Sequence, residues 1–94
     1  MQRGYNEPVV PELSRFFGIV IYMYHREHEP AHFHAEYGEY EITVDVASGT
    51  VTGYFPRRAL NLVLDWYELH RQDLADNWQR ARQHLSLKTI DPLE

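Results

Sequence analysis

His32, His34 and Glu36 fall at alternate positions in the stretch Pro30-Ala31-His32-Phe33-His34-Ala35-Glu36-Tyr37-Gly38. On a β-strand, residues two apart share a face, so the three side chains are expected to stand in a row. Two imidazoles and a carboxylate suit three kinds of work. They can ligate a divalent metal, run acid–base chemistry, or form a polar recognition surface. A metal needs three or four donors converging at about 2.0–2.2 Å, whereas alternate strand positions lie nearly 7 Å apart at Cα. The splay counts against a metal; if one binds, His32, His34 and Glu36 are the candidate ligands, and any further donor has to come from Glu41, Asp45 or the loop histidines His25 and His28. In type alone the set also matches the two-histidine, one-carboxylate triad of non-haem iron. For acid–base work the candidates are His32, His34, Glu36 and Asp45. Imidazole exchanges protons near neutral pH, so one ring can take a proton while another gives one. RNA phosphodiester cleavage without a metal would run that way. No strong nucleophile accompanies them: Ser14, Ser48 and Ser86 lack a triad context, and there is no glycine-rich phosphate loop.

The elements that must position these residues follow from the turn signals. Gly38-Glu39, glycine first, is the two-residue pattern of a type II′ hairpin. Pairing Tyr37 with Tyr40 sets Glu36 opposite Glu41, His34 opposite Thr43 and His32 opposite Asp45. One face then collects Phe33, Ala35, Tyr37, Tyr40, Ile42 and Val44 and should take the helices. The other collects His32, His34, Glu36, Glu41, Thr43 and Asp45. A polar outer face is the default of an antiparallel sheet. Here, however, Glu36 facing Glu41 is locally unfavourable and calls for a nearby cation. Glu41 and Thr43 are candidate partner contacts. Tyr22 and Tyr24 either floor the histidine face or simply pack.

Upstream, Phe16 to Tyr24 is apolar throughout and reads as a strand covered on both faces. His25 to Ala31 is a charged loop. Tyr40 to Val46 alternates, Ala47 to Thr50 turns through Ser48-Gly49, and Val51 to Phe55 is a fourth strand. Pro56 suits a first helical turn. Beyond it Leu60, Val63, Tyr67, His70, Leu74, Trp78, Ala81 and Leu85 recur at helical spacing. An unbroken helix of about 28 residues would measure roughly 42 Å, while a chain of this length spans only about 32 Å. A bend or break is thus expected near His70 to Asp73, with Asp73 as the cap. Trp66 and Trp78 are expected in the core, and His70 as a packed histidine. Arg57 and Arg58 oppose the dipole of the helix they open and are candidate anion contacts. The tail should dock through Ile90 and Leu93. The fold class is α+β: a four-stranded antiparallel β-meander with one bent or two consecutive C-terminal helices on one face. Residues 1–10 form a lead-in and 11–94 a single domain.

Composition bounds the partners. The chain has 94 residues and a net charge of −5, with no cysteine. Disulfides and thiolate metal sites are excluded, so a metal would rest on His, Asp or Glu. An acidic chain disfavours RNA or DNA, which need clustered cations. No apolar run has the roughly 18 residues of a membrane span, and a cytoplasmic location is the default. A core of this size leaves room for a homodimer.

Further residues carry a resemblance. The segment Pro11-Glu12-Leu13-Ser14-Arg15-Phe16-Phe17-Gly18-Ile19, the Pro-x-His-Phe-His-Ala motif at Pro30 to Ala35, and the Leu-x-x-x-Trp helix that runs on to Glu-Leu-His at His70 all contribute. So do Asn77-Trp78 and the closing Ile-x-Pro-Leu at Ile90 to Leu93. Together they resemble a family of small uncharacterised bacterial proteins over residues 11–93. The resemblance implies a two-gene layout similar to toxin–antitoxin modules. The chain would then be the toxin-like component, with the adjacent gene product as its partner and the histidine face serving RNA cleavage or partner contact. The alternatives are a non-catalytic interaction module that binds its neighbour or itself, and a histidine/carboxylate metal-binding protein.

Overall fold

The structure, a computed structural model, describes residues 10–94. The lead-in expected over residues 1–10 lies outside them except for Val10. Five antiparallel strands form one sheet in the order of the chain: β1 (Glu12–Phe16), β2 (Ile19–Tyr22), β3 (His32–Tyr37), β4 (Tyr40–Asp45) and β5 (Val51–Tyr54). Two helices follow, α1 (Arg57–Leu69) and α2 (Arg71–Arg82).

The sheet has one strand more than the hydrophobic pattern suggests. The apolar run Phe16 to Tyr24 is not one strand. Phe17 (φ 51) and Gly18 (φ 82) both take positive φ and fold it back on itself, so that Phe16 pairs with Ile19. Positive φ at both central residues marks a type I′ hairpin. The position carries Phe-Gly rather than Asn-Gly, so an apolar side chain hides the turn from a reading of hydrophobicity. The residues before the turn, Glu12 to Phe16, thereby become β1, an edge strand. β2 keeps the expected central place, with Ile19 and Ile21 wholly buried.

The β3–β4 hairpin has the expected register throughout, from Tyr37 opposite Tyr40 to His32 opposite Asp45. Gly38 supplies the positive φ (59) that the turn requires. Phe33, Ala35, Ile42 and Val44 are at most 1% exposed and form the floor on which α1 packs. Phe33 meets the rings of Trp66 and Tyr67 at 5.7 and 6.1 Å. Tyr37 and Tyr40, at the turn end of that face, are only partly covered and lean on Phe55 and Tyr54.

The helical segment breaks at His70, as the length argument requires. Asp73 is not the cap. His70 occupies that position, and Asp73 sits in the first turn of α2, where an acid complements the exposed N–H groups. The His70 ring stays partly buried against Trp66, with Nδ1 3.3 Å from Asp73 Oδ2. Trp66 and Trp78 are core residues, as their stripe indicates. Leu85 departs from the stripe: α2 ends at Arg82, so Leu85 falls beyond the helix and is exposed. The tail docks through Ile90, whose N–H donates to the Leu13 carbonyl at 2.7 Å, and Trp66 Nε1–H donates to the Asp91 carbonyl at 2.8 Å. Among the described residues no helix is long and apolar enough to cross a membrane.

A candidate histidine–carboxylate centre

The register places His32 and His34 on the face opposite α1, but the face is not open to solvent along its length. β2 lies beside β3 with Tyr22 paired to His34. The two rings stack at 5.0 Å, and Tyr24 meets the same imidazole edge-on at 4.9 Å. The two tyrosines therefore floor the histidine face. On the other side the β2–β3 loop folds over the motif and delivers Glu27. His34 is left 8% exposed, and the His32 ring is partly covered by Trp78 of α2 at 5.3 Å.

Glu27 is the residue that the sequence pattern does not reveal. Its Oε1 lies 2.8 Å from His34 Nε2 and 3.1 Å from His32 Nε2. These three donor atoms all lie within 4.8 Å of one another. The partner of the two histidines is thus a loop carboxylate, not the strand carboxylate two residues on. The loop histidines do not join it either: His25 Nε2 sits 3.2 Å from the Leu85 carbonyl, and His28 is exposed.

His32 is oriented by the backbone. Its Nδ1–H donates to the Pro30 carbonyl at 2.8 Å, which fixes the ring and turns Nε2 toward Glu27. A backbone carbonyl on the far nitrogen is the outer contact typical of a metal-ligating imidazole.

The remaining members of the polar face form two further groups. Glu36 and Glu41 stand opposite each other, as expected, and the cation that this pairing suggested is replaced by a shared proton. The Tyr22 hydroxyl lies 2.8 Å from Glu36 Oε2 and 3.2 Å from Glu41 Oε2, so its single hydrogen serves both. Burial, then the two carboxylates, push the Tyr22 hydroxyl far above the usual phenol range, so it remains a donor at any physiological pH. Asp45, though opposite His32, works at the β4–β5 turn. Its Oδ1 accepts from the N–H groups of Ala47 (2.9 Å) and Ser48 (2.8 Å). Thr43 lies partly buried opposite His34. Arg57 and Arg58 are exposed at the start of α1, on the chain segment after β5 and not among the residues that surround the histidines.

The Ser48 N–H bond is the chief reason the Asp45 carboxyl is held below its ordinary value, with the Ser48 hydroxyl, Ala47 N–H and His32 adding to it. A carboxyl whose pKa is lowered by folding stabilises the fold above its unfolded value, and that contribution is lost as pH falls through the lowered one. The melting temperature of Asp45→Ala should therefore lie below wild type at neutral pH. The gap should narrow as pH falls below the ordinary aspartate value of 3.8, a trend that circular-dichroism melts across an acid series would reveal.

The stretch from β2 through Trp78 is also where similarity to known sequences lies. A family model, Domain of unknown function (DUF4160), matches residues 18–79. The chain belongs to this family. The DUF4160 match takes in Glu27, His32, His34, Glu41 and Trp78, and leaves β1 and the C-terminal tail outside. No curated protein and no solved structure matches the chain.

Proposed function

We propose that this DUF4160 domain binds a divalent transition metal through His32 Nε2, His34 Nε2 and Glu27 Oε1, with a coordination position left for an outside ligand. One observation carries the reading. The Nδ1–H of His32 is committed to the Pro30 carbonyl, so its Nε2 directs a lone pair at a carboxylate oxygen 3.1 Å away. Two acceptors so close call for a cation between them, either an added proton or a metal ion. His34 Nε2 aims at the same oxygen from 2.8 Å, which makes three donors about a single point. Donors of a tetrahedral ion at about 2.0–2.2 Å stand roughly 3.3 Å apart, so the two distances from Glu27 Oε1 to the imidazoles, 2.8 and 3.1 Å, need to lengthen by only a few tenths of an ångström.

Nitrogen and oxygen donors without thiolate suit zinc, iron(II) or manganese rather than copper(I). Three protein ligands are the complement of sites that keep a position open, where a bound ion supplies Lewis acidity to whatever enters. Burial of His34 and the tyrosine floor restrict the donors to a few rotamers, so little ordering entropy opposes binding.

Titration of chelator-stripped protein with zinc, followed by calorimetry, should give one site per chain. Cobalt(II) in the same site should give the visible absorption of a low-symmetry ion. A stoichiometry near zero for both metals overturns the reading. The same pair of imidazoles would serve a toxin-like ribonuclease as acid and base with no metal. The expected observation for that case is growth arrest on expression, lost in His32→Ala and His34→Ala, together with a metal-free protein.

A further inference from the structure

His34 carries a polar atom that the centre as described leaves unused. The residue is 8% exposed, and its Nδ1 has no hydrogen-bond partner. The nearest charged group is Glu41 Oε2 at 3.6 Å, beyond hydrogen-bond range. As the side chains stand, the ring proton belongs on Nε2, because the atom facing it at 2.8 Å is a Glu27 carboxylate oxygen, which can only accept. Nδ1 then presents a lone pair to a second carboxylate. Two acceptors face each other, and 3.6 Å is the kind of separation such a pair keeps.

We propose that a metal ion bound at His34 Nε2 shifts the imidazole proton to Nδ1, where Glu41 accepts it, and that Glu41 is thereby a positioning residue for the centre. The inference rests on the metal reading above. Its balance is simple. The N–H bond at Nε2 breaks, its lone pair goes to the ion, and an N–H bond forms at Nδ1, the proton being exchanged through water. The ring carries one proton before and after. Glu27 loses a hydrogen bond and gains the ion, while Nδ1 and Glu41 exchange mutual repulsion for a hydrogen bond.

The surroundings allow this. Glu41 has a side chain 55% exposed, so it is free to turn. Closing from 3.6 Å to ordinary hydrogen-bond length takes less than about 1 Å. Its present contact, the Tyr22 hydroxyl, is the weaker half of a shared bond, at 3.2 Å against 2.8 Å to Glu36. If Glu41 turns to His34, Tyr22 keeps Glu36, and each carboxylate then has a donor of its own. The like-charged pair across β3 and β4 becomes two separate hydrogen bonds, and the carboxylate–histidine–metal arrangement is complete.

The test uses the full chain with zinc as the probe. Nitrogen-15 spectra of the imidazoles should show His34 protonated on Nε2 without zinc and on Nδ1 with it. Competition with a chromophoric chelator should show Glu41→Leu binding zinc about 10–100-fold more weakly than wild type, the usual cost of losing an outer partner. Glu41→Gln, which keeps a carbonyl acceptor, should recover most of that loss. Matching melting curves of the two zinc-free variants exclude misfolding as the source of the difference. Unaltered zinc affinity in Glu41→Leu overturns the inference and leaves the metal reading standing, whereas a loaded His34 still protonated on Nε2 removes His34 as a ligand and overturns both. Wild-type protein that takes up no zinc overturns both.

Discussion

Glu27→Gln and His34→Ala should each reduce zinc affinity by more than about 100-fold, above the roughly 10–100-fold that an outer-shell partner contributes, while Glu36→Gln should leave it unchanged. The contrast between the two glutamates is the informative part. Glu36 lies two residues beyond His34 on the same strand face, and strand periodicity alone would choose it. In the fold its carboxylate is engaged by the Tyr22 hydroxyl at 2.8 Å, and Glu27, seven residues before His34, stands at 2.8 Å from the imidazole instead. Each tenfold loss in affinity corresponds to about 1.4 kcal/mol, so the effect is large against experimental error. A second readout is thermal. A ligand present at a hundred times its dissociation constant stabilises the native state by about 2.7 kcal/mol, so zinc should raise the melting temperature of wild type and of Glu36→Gln but not that of Glu27→Gln. Equal zinc binding by Glu27→Gln and wild type would remove Glu27 from the centre.

The difference between those two glutamates marks where the sequence was legible and where it was not. Within the β3–β4 hairpin the turn chemistry of Gly38-Glu39 fixes register, and register fixes every face assignment from His32 to Asp45. Local rules suffice because the partner strand is two residues away. Glu27 is positioned by a loop that no periodicity governs, and its approach to the histidines depends on where the chain between Tyr22 and His32 happens to cross. The only available signal was its presence as an acid in the loop leading into the motif, a property it shares with Glu29, which instead pairs with Arg82 at 2.6 Å. The missed strand has another cause. At Phe17-Gly18 a single glycine carries the turn, and flanking apolar residues on both strands fuse two short elements into one apparent run. For Tyr22 the sequence leaves two roles open, a floor for the histidines or plain packing, and the stacking on His34 selects the first. Its further task, holding Glu36 and Glu41 to one hydroxyl, depends on the β2–β3 register, and that in turn depends on the hidden hairpin.

The largest expected loss of stability is at Trp66. Its side chain is fully buried and joins three parts of the molecule. It meets Phe33 of the sheet at 5.7 Å and Phe16 of β1 at 5.6 Å, and its Nε1–H holds the Asp91 carbonyl of the tail at 2.8 Å. Trp66→Ala should cost about 3–5 kcal/mol, the usual range for emptying a large aromatic site. A small domain commonly has only about 5–15 kcal/mol in all, so the variant should approach the threshold of folding. Trp66→Phe separates the contributions. It retains most of the packing and removes the indole donor, and because Asp91 lies at the surface its carbonyl can turn to water. The expected cost is then about 1 kcal/mol for the hydrogen bond, plus that of a smaller ring. Urea denaturation followed by circular dichroism measures both. If alanine and phenylalanine destabilise equally, the tail contact outweighs the core packing, and the strap formed by Ile90 and Asp91 is what Trp66 chiefly secures. If alanine costs several times more, α1 is held to the sheet by aromatic packing around Phe33. That packing is also what keeps the β3 backbone, and with it His32 and His34, in place beneath Glu27.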